Sequence, residues 1–216
     1  MGMSERSKLF RPGPVYFLAR ALFWVFGKLV LWMHVRGHRR IPTHGGLVVA
    51  ANHFSTLDPP VMGTSMRRPL HFMAKKELFE RPFTNWLWRE LAAFPVDRSR
   101  SDMGAIKEAL KRIKSGQVVG VFIQGTRNAG DADALHGAAF LAQRSGVPVV
   151  PAAIWRRGLR YTVAFGDPIV VEGKDRDAMA AGTDQVMNAI RALLPADRTP
   201  DGRVLEATER KPNKTD

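Results

Sequence analysis

Short, nearly continuous apolar runs alternate along this chain with longer stretches of mixed polarity. Leu47–Ala51, Val118–Ile123 and Val147–Trp155 are the strongest runs, each preceded by Gly or Gln. Runs of this length and character predict buried strands. Leu70–Ala74, Ala93–Val96, Arg160–Phe165 and Pro168–Val171 predict shorter strands. Helical patterns fall between them at Pro60–Met66, Lys75–Glu80, Phe83–Leu91, Asp102–Ser115, Ala132–Ser145 and Asp177–Leu194. In the fourth of these, Met103, Ile106, Leu110 and Ile113 recur at helical spacing, and Gly116 supplies a stop. Strands alternating with helices predict an α/β fold, a mixed, largely parallel sheet flanked by helices. Pro148 and Pro151 predict that the third long strand lies at an edge, an end or a bulge.

The most apolar stretch precedes all of this. Val15–Met33 carries Phe17, Leu18, Leu22, Val25, Phe26 and Leu29, broken by Arg20 and Lys28 eight positions apart. Trp24 and Trp32 suit a membrane–water boundary. Two cations within one helix are costly in hydrocarbon, so a spanning helix is disfavoured. An interfacial helix accounts for the apolar bulk, a cationic face formed by Arg20 and Lys28, and the basic flanks. The predicted organisation is a membrane-associating N-terminal segment over 1–34, an α/β domain over 35–195 and a disordered tail over 196–216. Val35–Pro42 reads as a turn-rich basic connector. His34, His38 and His44 lack the carboxylate or further ligand pattern of a metal site.

Charge sharpens the picture. The 216 residues carry a net charge of +13, and none is cysteine. Thiolate catalysis, disulfide scaffolding and cysteine zinc sites are thereby excluded. The excess positive charge lies ahead of the charge-balanced tail, and Met1–Ala50 alone holds eight Lys or Arg against one Glu. Such a balance calls for a polyanionic partner: nucleic acid, an anionic membrane surface or a phosphorylated substrate.

Candidate chemistry gathers where strands end. Leu47–Ala51 runs into Asn52-His53, and Asp58 follows before Pro59-Pro60. Asp followed by Pro fits a helix N-cap with proline in the first turn. The intervening loop is long enough to bring the carboxylate back to the imidazole. That pairing would fix the tautomer and leave the other ring nitrogen as a base. Taken alone, an Asp cap beside a structural His accounts for the residues equally well. Val118–Ile123 runs into Gln124-Gly125-Thr126-Arg127. Glycine admits an oxyanion to the backbone, threonine offers a hydroxyl, and arginine a planar fork matched to phosphate. By itself the tripeptide reads as a glycine turn with a solvated arginine. Arg98 and Arg100, beyond Val96, gain meaning only if they converge with Arg127. Neither a Walker loop nor Gly-x-Gly-x-x-Gly occurs, and no Gly-x-Ser-x-Gly elbow, which disfavours nucleotide hydrolysis, dinucleotide binding and serine hydrolysis.

Four segments in order carry a resemblance. Asn52–Asp58 (NHFSTLD) resembles the NHxSxxD block of the glycerolipid acyltransferases. Phe94–Arg98 (FPVDR) resembles their second block, Phe122–Arg127 (FIQGTR) the third, usually F-P-E-G-T-R, and Val147–Ile154 the fourth. The match spans about residues 35–170 and looks like the 1-acylglycerol-3-phosphate acyltransferase (PlsC-type) branch. The resemblance implies transfer of a fatty acyl group from acyl-CoA or acyl carrier protein to the hydroxyl of lysophosphatidic acid. It implies His53 as general base and Asp58 as its orienting partner. Arg127, with Gly125, Thr126 and Arg98, would bind the acceptor phosphate, and Pro151 would line the acyl side. Neither a metal nor a cofactor beyond the acyl donor is implied. The expected partners are a lysophospholipid, the acyl donor and an anionic membrane surface, with no nucleic acid. The expected location is peripheral or monotopic, on the cytoplasmic face of a bacterial inner membrane. Gln124 stands where the family usually has Glu. It keeps a carbonyl acceptor but loses charge-assisted strength, which opens the choice of acceptor. The alternatives are an acyltransferase for another lysophospholipid or lipid acceptor, and a non-catalytic binder of anionic lipid or nucleic acid.

Overall fold

The computed structural model describes residues 12–97, 102–124, 130–173 and 175–204, with the side chains at 123, 124 and 130–135 outside that description. The chain runs α1 (Pro14–Leu29), β1 (His34–Arg36), β2 (Leu47–His53), α2 (Asp58–Ser65), β3 (Leu70–Lys75), α3 (Pro82–Glu90) and β4 (Ala93–Val96). It continues α4 (Met103–Lys114), β5 (Val118–Gln124), α5 (Gly130–Ser145), β6 (Val149–Arg157), β7 (Arg160–Phe165) and α6 (Arg176–Leu193). The seven strands form one sheet in the order β1-β7-β6-β2-β5-β3-β4. Every pairing between named strands is parallel except the β6–β7 hairpin. The sheet is therefore mixed and largely parallel, with helices on both faces, as the alternation predicts.

Alternation along the central strand β2 divides the core in two. Leu47, Val49 and Ala51 pack with Leu31, Met33, Val61, Met62 and Met66 from the α1–α2 side. Val48 and Ala50 pack with Ala109, Ile113, Leu141, Val186 and Ile190 from α4, α5 and α6. A central parallel strand is covered on both faces and so reads as a near-continuous apolar run. The same alternation places His53 on the α2 face, at the C-terminal end of the strand. Open α/β sheets build their sites at that end.

Several sequence expectations are corrected. The connector Val35–Pro42 contributes an edge strand, β1, paired in parallel with β7 from His34↔Thr162 to Arg36↔Ala164. Gly37 then turns the chain with φ +71°, where a Cβ would fall 2.2 Å from the Phe165 carbonyl oxygen; only glycine fits. Lys76–Phe79 is a single 3-10 turn rather than a helix. Pro168–Val171 supplies only an isolated antiparallel bridge, Val149↔Ile169. The strand β6 is interior, between β7 and β2, despite Pro151. Pro151 lies just past the last β6–β7 pair, Ala152↔Phe165, and its carbonyl accepts from the Gly166 N–H at 2.8 Å. The donor that proline lacks thus falls where β7 has already ended.

The N-terminal helix differs in what its cations do. Arg20 donates to the carbonyls of Met66 and Arg67, at the end of α2. Lys28 donates to the Met33 carbonyl at 3.0 Å and lies 5.9 Å from the Trp24 ring centroid. Both cations serve the protein's own carbonyls instead of forming an outward cationic face. The outward surface of α1 and its exit is apolar: Phe17, Leu18, Leu22, Trp24, Leu29 and Trp32 are exposed. Among the described residues no helix is long and apolar enough to cross a membrane.

The expected disorder beyond 195 is corrected for residues 196–204. They form a turn closed by the Arg198↔Val204 bridge and by Thr199 N–H to the Arg203 carbonyl at 3.1 Å. The remainder of the predicted tail, 205–216, lies outside the described residues.

Candidate active site

The loop after β2 folds back on itself. Asp58 does not cap α2, as its position before Pro59 suggests; the helix begins at Asp58, with Leu57 at the N-cap position and no side-chain cap. Its carboxylate turns back into the loop. Asp58 Oδ2 accepts from His53 Nδ1 at 2.8 Å, from the Phe54 N–H at 2.7 Å and from the Ser55 N–H at 2.8 Å. Asp58 has no exposed surface, whereas the His53 side chain is 18% exposed. A buried carboxylate needs partners, and three donors on one oxygen supply them. Among the described residues, Asp58 Oδ1 has no hydrogen-bond partner.

An ionised carboxylate accepts only, so the His53 Nδ1 carries the proton. In the neutral imidazole the other ring nitrogen, Nε2, is then the unprotonated one, the atom that can take a proton from a hydroxyl. The His53 ring is tilted against Phe122 of β5, with centroids 5.1 Å apart. On the far side of the loop, Phe54 stacks on Tyr161, with centroids 6.1 Å apart at 18°. The Tyr161 hydroxyl donates to Ser55 Oγ at 3.3 Å, and that oxygen also accepts from the Leu57 N–H at 3.2 Å. Packing and hydrogen bonds from both sides hold the loop in one conformation.

Neighbouring strand ends bring in the other predicted segments. In the β2–β5 register, Gln124 is the Cα partner of His53. The described residues of the third block, Phe122 to Gln124, therefore run alongside the end of β2. Gly125, Thr126 and Arg127 lie outside the described residues, as does Arg98. The strand before Arg98 is described: Val96 pairs with Lys75 on the far edge of the sheet. Lys76 then donates to Asp97 Oδ2 at 2.7 Å, and the Asp97 N–H donates to Asp102, the N-cap of α4. Pro151 is not brought to His53. It is buried in β6 opposite Ala50, three positions before His53 in the register, and its ring lies beside Gly166 on the α6 side of the sheet.

Sequence reasoning passed over Asn52. It is 1% exposed, and its amide pairs with the Ile154 backbone as a peptide would. Asn52 Oδ1 accepts from the Ile154 N–H at 2.7 Å, and Nδ2 donates to the Ile154 carbonyl at 2.8 Å. The β2–β6 ladder ends at Ala51↔Ala152, so Asn52 satisfies the next pair of β6 groups as β2 departs into the loop. A polar residue inside an otherwise apolar strand was the available signal.

Comparison with known proteins identifies the family and the fold. The Acyltransferase family matches residues 33–155, which include β2, the His53–Asp58 loop and most of β6. The chain is 36% identical over 173 residues to the 1-acyl-sn-glycerol-3-phosphate acyltransferase of Bacillus subtilis, covering 74% of this chain and 86% of that protein. It is 31% identical over 157 residues to the protein of the same name from Streptococcus pneumoniae, covering 65% of this chain and 59% of that one. The fold is similar to the crystal structure of the 1-acyl-sn-glycerophosphate (LPA) acyltransferase PlsC from Thermotoga maritima. The TM-score is 0.61 at 22% identity, over 88% of this chain and 85% of that one. The chain belongs to the Acyltransferase family.

Proposed function

We propose that this enzyme transfers a fatty acyl group from a thioester, acyl-CoA or acyl carrier protein, to the free hydroxyl of lysophosphatidic acid, giving phosphatidic acid. The His53–Asp58 pair carries the reading, with Nδ1 held at 2.8 Å and Nε2 left as the base. The names of the relatives supply the acceptor. His53 Nε2 takes the hydroxyl proton as the oxygen attacks the thioester carbonyl. Asp58 stabilises the imidazolium. Collapse of the tetrahedral adduct breaks the carbon–sulfur bond, and the leaving thiolate recovers the proton from His53. The products are the ester and a free thiol, and neither a metal nor a further cofactor enters. Arg127, Gly125, Thr126 and Arg98 are assigned to the acceptor phosphate, whose dianion suits a guanidinium fork.

The acceptor is held in a bilayer, and the exposed apolar face of α1 is proposed to lie in the headgroup boundary of the cytoplasmic leaflet. A net charge of +13 favours an anionic lipid surface. Gln124 favours a second reading, with another lysophospholipid as acceptor, because it is the register partner of His53. The test is a panel of lysolipids presented in vesicles with each donor in turn. Lysophosphatidate is expected to be the preferred acceptor. Preference for another lysolipid would establish the second reading, and turnover of none would overturn both.

A further inference from the structure

Beyond the residues matched by the family, the chain returns to the catalytic loop. After α6, Asp197 meets Arg157 at the end of β6, with contacts of 3.0 and 3.2 Å to Nη2. The turn at 199–203 then lies against the two residues that flank His53. Asn52 Nδ2, having one N–H committed to Ile154, gives its second to the Pro200 carbonyl at 2.9 Å. Gly202 sits against Phe54: with φ +80°, a Cβ there would fall 2.9 Å from Phe54 Cβ and 3.0 Å from Cγ. Phe54 is in turn confined by Tyr161, and its N–H is one of the three donors on Asp58 Oδ2.

We propose that residues 195–204 are a strap that positions the catalytic loop, with Asn52 and Gly202 as its positioning residues. The inference rests on the reading of His53 and Asp58 as base and orienting group. The turn is shaped by its own bonds: Gly202 N–H to the Thr199 carbonyl at 2.9 Å and Arg203 Nε to Asp201 Oδ2 at 2.8 Å. It therefore meets the loop as a preformed surface. The loop spans only four residues between His53 and Asp58, and one displaced residue moves both the donor on Asp58 and the imidazole. Phe54 is held between Tyr161 and the strap; without the strap, one of those two walls is missing. Gly202 is required because any side chain would occupy the volume of Phe54.

The test compares Gly202→Val, Asn52→Ala and two truncations, after Val204 and after Leu194, with the full chain. Each is read by melting temperature, by kcat and KM for the acyl donor, and by the low-field proton resonance of a histidine Nδ1 held by a carboxylate. His53→Ala identifies that resonance. Truncation after Val204 is expected to match the full chain. Gly202→Val and truncation after Leu194 are expected to lose on the order of 100-fold in kcat, as misplaced catalytic groups do, with donor KM retained. In both, the low-field resonance is expected to broaden or vanish while the cooperative melt persists. Asn52→Ala is expected to do the same with a lower melting temperature. Undiminished kcat with an unchanged resonance in Gly202→Val overturns the proposal, and that variant decides if the shorter truncation does not fold. The resonance needs no substrate. If the full chain lacks transferase activity, the functional reading fails, and the strap is still tested by the resonance.

Discussion

Arg20 of α1 reaches across to the carbonyls of Met66 and Arg67, so that the N-terminal helix is tied to the end of the helix that begins with Asp58. A guanidinium among helix C-terminal carbonyls is favourable to both the hydrogen bonds and the helix dipole. Arg20→Met is expected to cost about 1.5–3 kcal/mol of stability, the range for a hydrogen bond to a charged group. Binding to anionic vesicles is expected to stay near the level of the unsubstituted protein. Thermal melting and vesicle sedimentation check the two outcomes. A stable Arg20→Met protein that no longer sediments with vesicles would assign this cation to lipid.

The apolar side of α1 carries the converse expectation. Leu18 and Leu22 are 62% and 63% exposed, so replacing them removes little packing. Each leucine buried in the bilayer contributes about 1.5–3 kcal/mol, or roughly tenfold or more in partitioning. Leu18→Glu with Leu22→Glu is expected to release the protein from vesicles while the melting temperature changes little. Sedimentation of that variant at the original level would place the membrane contact elsewhere.

A buried network far from the site sets an acid limit. His71 is 2% exposed, and its Nδ1 accepts from Arg112 Nη1 at 2.8 Å. Burial, then the Arg112 charge, pushes its pKa down from 6.5 to about 3. The folded protein holds His71 neutral, while the unfolded chain binds a proton below pH 6.5. Folding stability from this group is therefore intact above pH 6.5 and falls as pH drops from there toward 3, by at most about 1.4 kcal/mol per unit. In His71→Gln, which keeps an acceptor for Arg112, denaturant titrations between pH 7 and 4 are expected to show a shallower loss. An unchanged slope would remove His71 from the acid response.

Gln124 invites an acceptor test. Its position opposite His53 is fixed by the β2–β5 register. Gln124→Glu introduces the carboxylate that the family resemblance leads one to expect at this position. Stronger charge-assisted hydrogen bonding is expected to change relative kcat/KM among lysolipid acceptors by about tenfold, roughly 1.4 kcal/mol. Acceptor competition assays read this directly. An unchanged preference would free acceptor choice from residue 124.

Much of this molecule was legible in its sequence, for reasons that differ by element. The strand Leu47–His53 declared itself because a central parallel strand must be apolar on both faces. The spacing of His53 and Asp58 allowed their pairing without choosing it over a helix cap, and the resemblance supplied the choice. The cap role of Asp58 was misread because its local signal, Asp before Pro, is identical whether the carboxylate serves the helix or turns back to the loop. The strand at His34–Arg36 was hidden because an edge strand can be polar, and its partner lies far along the chain. The strand β6 carries Pro151, whose cost depends on where β7 ends, which local sequence does not state. Most of all, Asn52 and Pro200 are 148 positions apart, and no local pattern joins them.

Asp58 is expected to separate orientation from folding. In Asp58→Asn an amide oxygen can still accept the Phe54 and Ser55 N–H groups, so the loop is expected to fold. The same oxygen is only a weak acceptor for an imidazolium, and an amide turned the other way selects the wrong tautomer. The loss in kcat is expected to be about 10³–10⁴-fold, as when a histidine base loses its carboxylate. Near-normal turnover in a folded Asp58→Asn protein would remove Asp58 from the mechanism.

The measurement closest to the central claim is ester formation on lysophosphatidate in vesicles, with acyl-CoA and acyl carrier protein supplied separately. Full chain and His53→Ala are compared at equal folded concentration. His53 lies at the end of β2 and outside the buried core cluster, so the variant is expected to fold. The account predicts phosphatidate and one free thiol per ester with the full chain, and no ester above the uncatalysed rate with His53→Ala. Undiminished ester formation by a folded His53→Ala protein would contradict it.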